Sequence, residues 1–184
     1  MRFWLLLLCF SVSISAQPRR AYQYRADLKA QVERIWGLGT DRSLFAAQLH
    51  QESSWRPQAK SPWAEGLAQF TPDTADWINR LDSELAALRD VYNPKWAIRA
   101  LVFYDKFLWD RFDWAHADSR WAFTLASYNG GAGWISRERK GLECDNTYWW
   151  CCVELNCIRS EAACKENRNY PRKVLSLQSL YTGF

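Results

Sequence analysis

The chain has 184 residues, 48% of them hydrophobic and 24% charged, with a formal net charge of +4. This is the composition of an ordinary globular protein, and it excludes a disordered or collagen-like chain. The mild positive balance favours approach to a polyanion such as an acidic cell wall, but no Lys/Arg block or recognition motif points to nucleic acid.

The chain opens with a basic start at Met1-Arg2-Phe3, an apolar run to Ala16 and a small-residue exit at Ser15-Ala16. This pattern predicts a secretory signal peptide over 1–16. The run is shorter than the roughly 20 residues that a bilayer-spanning helix needs, which disfavours a permanent anchor; an uncleaved, releasable signal anchor stays open. Cys9 follows Leu6-Leu7-Leu8 rather than small residues, which argues against lipid attachment. No second hydrophobic run follows, so 17–184 is expected to be one exported domain, periplasmic or extracellular, without a membrane span; its oligomeric state stays open, with a monomer the expectation.

A helix is predicted from Asp27 to Trp36, closed by Gly37 and Gly39. Asp41 then reads as the N-cap of a helix that ends near Ser53-Ser54, before Arg56-Pro57. On that helix Phe45, Leu49 and Glu52 fall on one stripe, so an acid stands where the pattern asks for an apolar residue. A carboxyl turned inward has its charged form disfavoured; its pKa rises and it holds a proton near neutral pH, as a general acid must. A slightly rotated helix would instead leave Glu52 an ordinary surface acid. Trp55 and Trp63 flank this helix end in a chain with 12 Trp. Their rings suit either the core or the apolar faces of sugars. His50, two residues from the acid, points elsewhere and is expected to pack or face solvent.

Thr71-Pro72, with Asp73 in the first turn, starts a helix through Trp77, Ile78 and Leu81, and Asn93-Pro94 repeats the device. Asp118 is read as opening a further helix whose stripe is Ala122, Leu125, Ala126 and Asn129, stopped by Gly130-Gly131. A short helix from Ala132 to Arg139 follows. No convincing alternation of period two occurs, so the fold is expected to be all-α. Residues 141–165 form a Cys-rich insertion near the C-terminus, with Cys144, Cys151, Cys152, Cys157 and Cys164. Export makes disulfides the expectation, with one odd thiol left free, paired between molecules or joined to Cys9; the connectivity is not readable. The spacing holds no C-x-x-C and His50 and His116 are distant, so no metal site is expected, and no cofactor. Tyr148-Trp149-Trp150 beside these cysteines fits a stapled lobe overhanging a cleft or a small satellite core. The basic tail Arg168, Arg172 and Lys173 reads as a solvated face.

Four stretches occur in order: Glu52-Ser53; Gly66-Leu67-Ala68-Gln69 with Pro72-Asp73-Thr74-Ala75 behind it; Ala126-Ser127-Tyr128-Asn129-Gly130-Gly131; and Glu166-Asn167-Arg168-Asn169-Tyr170. Together they resemble the four motifs of the lysozyme-like soluble lytic transglycosylase catalytic domain, over roughly Asp41 to Leu175. The resemblance implies a lysozyme-like helical fold that cleaves the β-1,4 bond between N-acetylmuramic acid and N-acetylglucosamine of peptidoglycan glycan strands. It implies Glu52 as the single catalytic carboxyl, acid then base, leaving a 1,6-anhydro end. Ser53, Gly66, Leu67, Gln69, Tyr128, Asn129 and Tyr170 are the implied substrate-binding positions, with Gly66 letting backbone approach the sugar and Ser53 orienting acid or substrate. The sequence departs from the family pattern at Ala68 and Pro171, neither of which removes a chemical group. A goose-type lysozyme, hydrolysing the same bond with Glu65 or Asp73 positioning a water, stays open, as does a non-catalytic wall-binding module. A bacterial housekeeping role and a phage lysis role also both stay open.

Overall fold

Side-chain capping sets where the main helices begin. Thr71 accepts a hydrogen bond from the Thr74 amide and Asn93 from the Lys95 amide, each one residue before a proline at the first helical position, where that residue's missing amide costs nothing. The computed structural model describes residues 17–184; the expected signal segment 1–16, with Cys9, lies outside the described residues. A 3₁₀ turn over Arg19–Tyr24 leads into α1 (Arg25–Trp36). There follow α2 (Ser43–Ser53), α3 (Pro72–Leu81), α4 (Ser83–Leu88) and α5 (Pro94–Asp110), then α6 (Arg120–Gly130), α7 (Ala132–Glu138) and α8 (Glu161–Gln178). Among the described residues the only β contacts are two isolated bridges, Lys60 to Glu65 and Glu65 to Phe70. The expected all-α fold is therefore the one observed.

Several boundaries differ from the sequence reading. Arg42, not Asp41, is the N-cap residue of α2; the Asp41 carboxyl instead receives the Ser43 amide and hydroxyl. Asp118 stands two residues ahead of α6, whose N-cap is Ser119. The six residues of α4, started by Asp82 accepting from the Glu84 and Leu85 amides, carry too little periodicity to be read from sequence. Pro171 lies inside α8, where its ring has no amide to offer the Asn167 carbonyl, and the helix continues past it.

The main core is built by α1 against α5 and by α2 against α8, around Phe45, Leu49, Ile98, Leu101 and Val174. Trp55 is fully buried in it: its indole lies parallel to the Tyr24 ring at 6.0 Å and donates to the Tyr181 hydroxyl at 2.7 Å. Trp55 thus belongs to the core and not to a cleft. Its anchoring holds Ser54 and Trp55 at φ of 49° and 61°, two consecutive left-handed residues. Such backbone is costly outside glycine, so it persists only where packing overdetermines it. The result is a sharp end to α2 one residue after Ser53.

A second cluster of Leu108, Phe112, Phe123, Ile135, Trp149 and Val153 lies under the Cys-rich insertion. Disulfides join Cys144 to Cys152 and Cys157 to Cys164; among the described residues Cys151 is the free thiol, and it is exposed. The insertion therefore supplies a satellite core. Its segment is tied down by charge as well. Glu154 and Glu138 are both buried, the first bonded to Arg172 at 2.9 Å and the second to Arg159 at 2.9 Å. Arg172 also covers the Trp150 ring, so it is a tether and not merely part of a solvated face.

Candidate active site

Glu52 sits on the last turn of α2, at the wall of a cleft of about 500 Å³ also lined by Gln69, Phe70, Tyr128, Asn129, Glu166 and Tyr170. Burial of the carboxyl is the largest influence on it, and the neighbouring Glu166 charge adds to that. The Tyr170 hydroxyl, which donates to Glu52 Oε1, works in the opposite sense. The outcome is a pKa of about 8 against an ordinary 4.5, so the group keeps its proton at neutral pH. Tyr170 reaches it because α8 packs along α2, and Gln178 pins the far end of that pair by donating to Ser43 Oγ at 2.9 Å. Tyr170 lies parallel to Tyr128 at 6.5 Å, and burial, then the Glu52 charge, raises both phenols well above their ordinary value. Both are therefore neutral hydrogen-bond donors throughout the physiological range.

Behind the cleft wall lies a fully buried acid, Asp105 on α5. It accepts from Gln48 Nε2 at 3.3 Å, and burial raises its pKa well above the ordinary value, with Glu52 adding to the effect. This carboxyl does not line the cleft.

The remaining expected positions divide into two groups. Gln69, held at φ 49°, lines the cleft while its amide donates to the Gly66 carbonyl at 2.8 Å and the Ala59 carbonyl at 3.2 Å. Tyr128 lines the cleft and donates to the Ala68 carbonyl at 2.7 Å. Asn129 lines it too, donating to Glu166 Oε1 at 3.1 Å. Ser53, Gly66 and Leu67 are not among the lining residues. The Ser53 hydroxyl bonds to the Leu49 carbonyl and accepts the Arg56 amide, closing the turn after α2. Leu67 is fully buried in the main core. Gly66, at φ 78°, passes against the Val91 carbonyl, 2.0 Å from where a β-carbon would stand, so its demand comes from protein backbone and not from an approaching sugar. Of the flanking tryptophans, only Trp63 lines the cleft.

Other expectations are resolved by placement. Glu65 is paired with Lys60 at 2.8 Å, and Asp73 lines a separate groove with Trp77 and Phe107; neither lines the Glu52 cleft. His50 packs edge-on against Tyr181 at 5.9 Å, and burial lowers its pKa. No residue of the insertion 141–165 is among those lining the cleft around Glu52.

Two contributors went unassigned in the sequence reading. Glu166 is the acid that shares the cleft with Glu52. Asn167, buried beside it, donates to the Ala126 carbonyl at 2.8 Å and to Asn129 Oδ1 at 3.1 Å while accepting from Arg159 at 2.8 Å. A polar chain thus runs from Glu138 through Arg159 and Asn167 to Asn129 and Glu166. Gly130 leaves room for it, because a β-carbon there would stand 2.4 Å from Arg159 Nη1 and 2.5 Å from Asn167 Nδ2. The signal was present: Glu166 and Tyr170 are four apart and share one helix face.

The helical core presents the half-buried Glu52 carboxyl to an open cleft, and the backbone that does so has known counterparts among lysozyme-like folds. Lytic transglycosylase Slt from Pseudomonas aeruginosa superposes with a TM-score of 0.65 at 24% identity, covering 87% of this chain and 24% of that one. The 70 kDa soluble lytic transglycosylase of Escherichia coli gives 0.60 at 23%, covering 84% and 24%. These likenesses establish the fold. The chain belongs to the transglycosylase SLT domain family, whose model matches residues 32–146. Among its relatives are the membrane-bound lytic murein transglycosylases F of Shewanella frigidimarina, 35% identical over 104 residues, and of Shewanella pealeana, 32% over 132 residues. The matches cover 54% and 69% of this chain but only 20% and 24% of those relatives. The chain thus spans about a fifth to a quarter of their length.

Proposed function

We propose that the chain is a peptidoglycan lytic transglycosylase in which Glu52 is both general acid and general base. The observation that carries this reading is the Glu52 carboxyl itself: desolvated, hydrogen-bonded by Tyr170, set in an open cleft, and protonated at neutral pH with a pKa of about 8. Family membership and the lytic transglycosylase relatives support the substrate. In the first step Glu52 gives its proton to the glycosidic oxygen as the bond from that oxygen to C1 of N-acetylmuramic acid breaks. The substrate's own acetamido group meets the positive charge developing at C1, in place of a second protein carboxylate. In the second step the C6 hydroxyl attacks C1 and returns its proton to Glu52, closing a 1,6-anhydro ring and restoring the acid. Gln69, Tyr128 and Asn129 offer amide and hydroxyl groups for the acetamido and sugar hydroxyls, while Ser53, Gly66 and Leu67 support the wall behind them.

One observation favours a second reading. Glu166 lines the same cleft as Glu52, and a carboxylate facing an acid across a sugar is the arrangement that hydrolysis uses,. On that reading Glu166, in place of Glu65 or Asp73, activates a water. Two disulfides support export to an oxidising compartment,, and no described helix is long and apolar enough to cross a membrane.

The test is digestion of purified peptidoglycan by the wild type, Glu52→Gln and Glu166→Gln, with mass spectrometry of the soluble products. The transglycosylase reading expects 1,6-anhydromuramic ends from the wild type and none from Glu52→Gln. Reducing ends that vanish in Glu166→Gln would establish the hydrolase, and wall binding without any product would establish a non-catalytic module.

A further inference from the structure

Trp63 is 80% exposed and lines the cleft that holds Glu52. A single exposed apolar side chain is ordinary on a protein surface; three further observations set this one apart. Among the described residues it is the one tryptophan whose ring has no aromatic or cationic partner. Trp36, Trp55, Trp77, Trp96, Trp109, Trp114, Trp121 and Trp149 each pack against another ring. Trp134 and Trp150 each carry an arginine. The Trp63 indole is therefore left largely open to solvent.

The second observation is that the turn presenting it is stiff. Ser61 donates its amide to the Ala64 carbonyl at 2.9 Å, and its hydroxyl donates to that carbonyl at 3.0 Å and receives the Ala64 amide at 2.9 Å. Pro62 fixes one φ of this turn, and the bridges from Lys60 to Glu65 and from Glu65 to Phe70 close its base. A ring held on such a turn loses little freedom when a ligand covers it. The third is the company it keeps: the same cleft carries Gln51, Ser61, Gln69, Thr71 and Asn129, amides and hydroxyls that suit a ligand rich in hydroxyl and acetamido groups,.

We infer that Trp63 is the stacking platform for a pyranose ring flanking the scissile bond, and so sets the affinity of the cleft for the glycan strand. This rests on the proposed glycan-cleaving function. A β-1,4-linked N-acetylhexosamine turns axial C–H groups toward each face, and those groups meet the electron-rich face of an indole while the ring's equatorial hydroxyls remain free for the cleft's polar groups. The remainder of the cleft then orients the sugar and Glu52 acts on it.

The experiment uses chitohexaose as probe and compares the parent, Trp63→Ala and Trp63→Phe, each with and without Glu52→Gln. Binding to the inactive forms is followed by the indole N–H resonances of tryptophan-labelled protein. The Trp63 resonance moves saturably in the Glu52→Gln parent. In the Trp63→Ala form affinity drops about tenfold, the scale of losing an aromatic anchor, and Trp63→Phe recovers most of it. On peptidoglycan, the loss in Trp63→Ala falls on KM more than on kcat, and its Tm equals that of the parent because the ring touches no core. A parent that cleaves peptidoglycan while Trp63→Ala keeps its KM and chitohexaose affinity overturns the platform alone. A parent that neither binds chitohexaose nor cleaves peptidoglycan overturns the glycan-cleaving function and the platform with it.

Discussion

Replacing Glu52 by Gln is expected to stabilise the protein, and by an amount that grows with pH. Well below pH 4.5, Glu52 carries its proton in both the folded and the unfolded chain, so its ionisation costs nothing. Above that, the unfolded chain releases the proton at the ordinary value of 4.5, whereas the folded chain holds it until about 8. Stability is therefore lost as pH rises through this window and levels off above it. Each pH unit within the window is worth about 1.4 kcal/mol, which amounts to about 3 kcal/mol at pH 7 and about 5 kcal/mol above pH 8. Gln has no proton to lose and keeps an oxygen to accept from the Tyr170 hydroxyl, so Glu52→Gln escapes this penalty. The buried acids Asp105, Glu138 and Glu154 are present in both proteins and cancel in the comparison to first order. At about 2–4 °C per kcal/mol for a domain of this size, the variant melts roughly 6–12 °C higher at pH 7. Calorimetric melts of both proteins from pH 4 to pH 9 measure this directly. Curves that coincide in acid and diverge up to pH 8 bear the reasoning out. A Tm difference independent of pH, or a wild type that gains on the variant as pH rises, refutes it.

Other consequences are as direct. Because the Glu166 charge raises the Glu52 pKa and the Tyr170 hydroxyl lowers it, Glu166→Gln moves the alkaline limb of the activity profile below pH 8 and Tyr170→Phe moves it above. Shifts in the same direction in both variants would contradict the assignment. Gly66→Ala sets a β-carbon against the Val91 carbonyl in a left-handed conformation, a combination expected to cost on the order of 3 kcal/mol; a Tm within a degree of wild type would remove Gly66 from the structural account. Replacing both Cys157 and Cys164 by Ser opens a bond between residues 7 apart in sequence and lowers stability by about 2–3 kcal/mol. Because Cys164 lies in the first turn of α8, the helix carrying Glu166 and Tyr170, activity is expected to fall with the Tm. An unaltered denaturant midpoint would show that the staple contributes nothing.

The helices that carry the cleft were readable where a local device marked them. Thr71-Pro72 and Asn93-Pro94 each combine a cap with a pre-set φ, and Gly130-Gly131 supplies the stop after Asn129; these signals act within a few residues and survive in any tertiary context. Glu52 was readable because an acid broke an apolar stripe. What sequence left out depended on partners distant along the chain. Trp55 belongs to the core because Tyr24 and Tyr181 close over it, and nothing near Trp55 announces either. Gly66 signals close approach without saying what approaches, and in the fold it is the Val91 carbonyl that does. Glu166 needed the pairing of α2 with α8 before it could be set in the same cleft as Glu52. The disulfide pairing needed the fold of the insertion, since five cysteines within a short stretch satisfy several connectivities equally well.

The central claim is that one carboxyl, Glu52, serves as acid and then as base and that no water enters the reaction. Digesting purified peptidoglycan in ¹⁸O-labelled water and weighing the newly formed muramic ends tests it most directly. The account predicts 1,6-anhydromuramic ends that carry no label, formed by the wild type and not by Glu52→Gln. Reducing ends carrying one ¹⁸O at C1 would contradict it.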